Sequence, residues 1–102
     1  MRQITKDSIS AFMSAKKFNR QNMQVEVLPN VTLLKLHNNI IGYRYNDPKR
    51  TLSIDSCGWF TPTTKERLNA LEGVSIQQKA FKWYLNGVEW DGQLTDIKYN
   101  IN

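Results

Sequence analysis

The chain opens with a helical period. Ile9, Phe12 and Met13 recur at i, i+3 and i+4 behind the N-cap candidates Thr5-Lys6-Asp7-Ser8, which predicts a short amphipathic helix. Lys16 and Lys17 stand where the helix dipole favours cations, and the polar run Asn19-Arg20-Gln21-Asn22 ends the helix. From Met23 the period falls to two. Met23, Val25 and Val27 alternate with Gln24 and Glu26, the mark of a half-buried strand. After a turn at Pro29-Asn30, strands are predicted at about Val31–His37 and Ile40–Tyr45, joined by Asn38-Asn39. Counting from that turn sets His37 opposite Ile40, Leu36 opposite Ile41 and Leu34 opposite Tyr43, with Tyr43 and Tyr45 on the core face.

A wider turn, Asp47-Pro48-Lys49-Arg50, leads to a strand over Thr51–Ser56. Gly58-Trp59-Phe60 then precedes a helix start. Either Thr61 caps with Pro62 at the first helical position, or Thr63 caps with Glu66 closing a capping box. Leu68, Ala70 and Leu71 form its apolar side, and Glu72-Gly73 ends it. Val74–Lys79 reads as a strand, and Asn86-Gly87 joins Phe81–Leu85 to Val88–Trp90. This register sets Trp83 opposite Trp90 on the Phe81/Leu85 face, a core arrangement. Asp91-Gly92 turns into a closing strand with Ile97, Tyr99 and Ile101. The predicted fold is α+β, in the order α-β-β-β-β-α-β-β-β. About six to seven short strands form an antiparallel β-sheet, or two, covered by two short helices.

Composition refines this picture without redirecting it. The 102 residues, 40% hydrophobic and 11% aromatic, suit one ordered domain over 1–102 with an aromatic-rich core. Cys57 is the one cysteine, so no internal disulfide forms, which suits a reducing compartment. The start MRQITKDSIS lacks the apolar run of a signal peptide, and no stretch is long enough to span a membrane. A cytoplasmic location is therefore expected. The net charge of +5 raises affinity for nucleic acid and acidic surfaces only mildly.

Catalytic chemistry finds little material. His37 is the single histidine, beside a turn and without a nearby carboxylate, and Cys57 lacks an identifiable base. One Cys and one His do not build an ordinary zinc site, and no phosphate-binding glycine pattern occurs. The expectation is a non-enzyme without cofactor or metal. Two surfaces remain as candidates. In the basic hairpin Tyr43-Arg44-Tyr45-Asn46-Asp47-Pro48-Lys49-Arg50, Arg44, Lys49 and Arg50 suit phosphate contacts. At the second helix start, Thr61, Thr63, Thr64, Lys65 and Arg67 surround free backbone N–H groups that favour an anion, although capping alone explains the threonines. Lys16, Lys17 and Arg20 stand ready to extend either patch.

The stretch Gly58-Trp59-Phe60-Thr61-Pro62-Thr63-Thr64-Lys65-Glu66-Arg67-Leu68-Asn69-Ala70-Leu71, with Gln78-Lys79 and Trp83-Tyr84-Leu85-Asn86-Gly87, resembles short accessory proteins encoded by tailed bacteriophages. Those carry a T-x-T-T-x-x-R-L-N-x-L helix followed by a Q-K…W-Y hairpin. The likeness covers the second half of the chain, and the first half in element order only. It implies a phage origin, a host-cell location and an accessory role, and carries no activity with it. The leading expectation is a binding protein directed at a host protein, an inhibitor of a host enzyme or defence factor, anchored by Trp59, Phe60 or Tyr84. The rival is a nucleic-acid binder using Arg44, Lys49, Arg50, Lys65 and Arg67. Self-association through an exposed edge at Asn100-Ile101-Asn102 is a further expectation.

Overall fold

The computed structural model describes residues 1–97. Among them the elements are α1 (Gln3–Met13), β1 (Phe18–Arg20), β2 (Met23–Val27), β3 (Val31–Leu36), β4 (Asn39–Tyr45) and β5 (Leu52–Ile54), then α2 (Pro62–Asn69), β6 (Ile76–Lys79), β7 (Lys82–Leu85), β8 (Val88–Trp90) and β9 (Thr95–Ile97). The fold is α+β, as the pattern predicts, with the strands divided between two antiparallel sheets. One runs β1-β2-β3-β4-β5-β9, and β6-β7-β8 form the other. Tyr99, Ile101 and the expected edge at Asn100-Ile101-Asn102 lie outside the described residues.

Helix α1 crosses β1, β2 and β3 and touches α2. Its buried side is Ile4, Thr5, Ser8, Ile9 and Phe12. It starts earlier than its polar cap candidates suggest, with Arg2 at the N-cap and no side-chain cap. It also ends before Lys16 and Lys17, and Arg44 serves its C-terminus instead, donating from Nη1 to the Met13 carbonyl at 2.5 Å. The run read as a helix terminator holds a strand. Phe18–Arg20 pairs with Met23–Val25 through a tight turn in which Gln21 takes φ 52°.

The β3–β4 hairpin corrects the expected register. His37 and Asn38, both at positive φ, form the turn in place of Asn38-Asn39, so Leu36 pairs with Asn39 and Lys35 with Ile40. A bulge at Leu34/Lys35 then absorbs Ile41, and Leu34 pairs with Gly42 and Leu33 with Tyr43. The consequence is a change of face. Leu34 and Gly42 lie under α1, where a Cβ on Gly42 would sit 3.5 Å from the Phe12 ring. Tyr43 and Tyr45 turn to the opposite face, half-buried and stacked at 6.2 Å, rather than into the core.

The core is one apolar cluster that joins both sheets. Phe12, Met23, Leu34, Ile41, Leu52 and Ile54 meet Leu68 and Leu71 of the α2 region and Ile76, Trp83, Leu85 and Trp90 of the small sheet. Asn69 fastens α2 to β6: its amide accepts from Ile76 N at 2.6 Å and donates to Ile76 O at 3.1 Å, as a neighbouring strand would. The β7–β8 hairpin follows the counted register, with Trp83 opposite Trp90 and Leu85 opposite Val88.

Candidate partner-binding surface

The sharpest departure from expectation is Phe81. The spacing places it in a strand on the core face, yet β6 and β7 pair Lys79 with Lys82 and leave Ala80-Phe81 as a two-residue turn. Both residues have positive φ, 49° and 66°. A turn of this hand favours Asn-Gly, and left-handed backbone costs an ordinary residue about 1 kcal/mol or more. Phe81 is nevertheless 97% exposed. A bulky aromatic is thus held in a strained conformation without gaining burial. Strain of this kind gathers at sites kept for function.

Beside it lies an aromatic floor. The Phe60 ring meets Trp83 edge-on at 5.0 Å, and Trp83 stacks on Trp90 at 6.3 Å. Trp90 Nε1 donates to Thr95 Oγ1 at 2.9 Å and to the Gln93 carbonyl at 3.1 Å, which fixes the indole. Gly92 makes the seating of Phe60 feasible: at φ 83°, any Cβ there would come within 2.6 Å of the Phe60 ring. Phe60, Phe81, Lys82, Trp83, Glu89 and Trp90 line an open groove of about 480 Å³. Trp59 and Phe60 remain 57% and 51% exposed. Trp59 also closes a cleft of about 100 Å³ with Leu36, His37, Ile41, Ser56 and Thr64. That volume is well below the roughly 300 Å³ at which small-molecule sites begin, and matches one inserted side chain. Single apolar side chains seated in such clefts are the usual anchors of protein interfaces.

The residues singled out from sequence are dispersed. Thr61 caps α2, its Oγ1 accepting from Thr64 N at 3.2 Å, and Thr64 is itself buried against it. The Thr63–Glu66 capping box is not used. Thr63 and Lys65 are half-buried. Arg67 is 0% exposed, so it has no path to a phosphate in solvent. Its Nη1 donates to Thr5 Oγ1 at 2.6 Å and to Glu66, tying α2 to α1. Arg44 is half-buried and donates to the Met13 carbonyl at the end of α1, whereas Lys49 and Arg50 are exposed on the turn after β4. Tyr84 pairs with Gln77 and Glu89 on the face of the small sheet opposite Trp83, away from the groove of Phe60 and Phe81.

The remaining reactive groups are accounted for locally. Cys57 is half-buried, with Sγ donating to the Ile40 carbonyl at 3.0 Å. Burial first, and Asp55 second, push its thiol above the ordinary value, away from thiolate reactivity. His37 is exposed in its turn. Among the described residues no three His, Cys, Asp or Glu side chains cluster as metal ligands, and no helix is long and apolar enough to cross a membrane. The sequence signal for Phe81 was present but faint: two residues, Ala80-Phe81, separate a Lys79/Lys82 pair.

Compared with known proteins, the chain matches the family model described as Kyanoviridae Gp96 protein over residues 1–100. It belongs to that family, a family of phage proteins. No curated protein and no solved structure matches it.

Proposed function

We propose that this member of the Kyanoviridae Gp96 family is a non-enzymatic accessory protein that binds a host protein in the host cytoplasm. Binding through Trp59, Phe60 and Phe81 blocks or redirects that partner, the action of an inhibitor of a host enzyme or defence factor. The observation that carries this reading is Phe81, 97% exposed at φ 66°. The fold gains nothing from an aromatic there, whereas an interface gains a rigid anchor. Lys82 beside the tip pairs with Glu89 at 3.2 Å, so the matching surface is an apolar recess rather than a charged one. The nucleic-acid alternative retains Lys49, Arg50 and Lys65 as exposed or half-exposed cations, without Arg67.

The test exploits the strain. Phe81→Gly removes the anchor and relaxes the turn, so the variant should be more stable by about 0.5–1 kcal/mol in urea unfolding. In parallel captures from nuclease-treated host lysate, wild type should retain a stoichiometric partner that Phe81→Gly loses by at least about tenfold. Undiminished capture by the variant, or no repeatable partner for wild type, defeats the reading.

A further inference from the structure

At the other end of β4 the structure leaves a second concavity. Helix α1 stops at Met13, short of the aligned residues Val27, Thr32 and Arg44 on its side of the sheet. The uncovered trough has a volume of about 260 Å³. Its lining is largely aliphatic, with Val27, Leu28, Pro29 and Val31, joined by Tyr45 and by the cations Arg44 and Arg50. None of the described lining residues is acidic. The nearest carboxylate in sequence, Asp47, is turned to Thr51, accepting from its N–H at 2.9 Å and its hydroxyl at 2.6 Å. Arg44 is fixed in place by the Met13 carbonyl and keeps further N–H donors free of that bond. Arg50 leans on Asn46 Oδ1 at 3.2 Å from an exposed turn.

We propose that this trough binds an acidic-apolar peptide segment, with a carboxylate between Arg44 and Arg50 and an aliphatic side chain against Val27 and Leu28. Two guanidinium groups in one lining, uncompensated by any acid among the described lining residues, select an anion. The aliphatic lining selects what the anion is attached to. Nucleic acid fits less well, because bases seek aromatic faces for stacking and the lining offers one, Tyr45, which is already stacked on Tyr43 at 6.2 Å. The trough is distinct from the Phe81 surface. It shares no lining residue with the Phe81 groove or with the Trp59 cleft.

The minimal probe is N-acetyl-leucine, a carboxylate on an aliphatic body, titrated into the ¹⁵N-labelled full chain. Saturable shifts should gather at the amides of Val27, Thr32, Arg44 and Arg50. N-acetyl-leucinamide, which lacks the charge, should leave them unmoved. Arg50→Glu, a change at an exposed turn position, should weaken binding at least about tenfold. Shifts scattered over the surface, or equal shifts with the neutral amide, overturn the proposal. So does tighter binding of inorganic phosphate or deoxyadenosine monophosphate, which would make this a phosphate site.

Discussion

Arg67 carries the basic charge that sequence spacing offers to a phosphate, and the fold uses it as an internal strut. Its guanidinium is fully buried and reaches Thr5 of α1, its neighbour Glu66 and, at 3.4 Å, Asn22 in the β1–β2 turn. Nε finds no partner among the described residues. Burial pulls the guanidinium below its ordinary value, and Glu66 opposes that shift. A buried charge with specific partners destabilises strongly when truncated, because cavity and orphaned acceptors remain. Arg67→Ala should therefore lower unfolding stability by about 3 kcal/mol in urea. Arg67→Lys should recover only a minor part, since a point charge does not span the fork between Thr5 and Asn22. Sequence could not anticipate this role: burial of Arg67 depends on α1 arriving beside α2 from far away in the chain.

The two hairpins of the small sheet show how legibility varies between neighbouring elements. Asn86-Gly87 has the residues its turn demands, with φ 51° and 87°, and the counted register is the observed one. Ala80-Phe81 makes a turn of the same hand without those residues, so propensity extends the strand where tertiary pairing ends it. In β3–β4 the Asn-Asn signal was one position out of place, and the bulge that exchanged the tyrosine face leaves no mark in the pattern. Asn86 does more than turn the chain: it accepts from Ser75 N at 2.8 Å and donates to the Gly73 carbonyl at 2.9 Å. Asn86→Ala should cost about 1–2 kcal/mol, two hydrogen bonds of roughly 1 kcal/mol each with partial compensation by water. Hydrogen exchange should then show β6 amides losing protection before those of β3 and β4.

For the whole molecule, stability should fall in acid. Asp7 is held below its ordinary value first by the hydrogen bond from Arg20 and then by Gln3, and Asp47 first by the Thr51 hydroxyl and then by its N–H. A carboxyl with a lower folded than unfolded value stabilises fully above the unfolded value. The unfolded chain takes up its protons first on acidification, so that contribution is lost as pH falls through the folded value. The thermal midpoint should stay level from neutral pH to about pH 5 and fall below about pH 4. Asp7→Asn with Asp47→Asn should reduce that slope, and an unchanged slope would remove these groups from the account. What the sequence determined by itself is whatever local physics dictates: two helices, antiparallel strands, a threonine cap narrowed to Thr61 or Thr63, and the Trp83–Trp90 pair, each read within a few residues. Tertiary structure alone decided which face Tyr43 presents, whether Arg67 meets solvent, and that Phe81 stands at a tip. Those outcomes depend on a bulge, a distant helix and the length of a partner strand, and side-chain period carries no information about any of them.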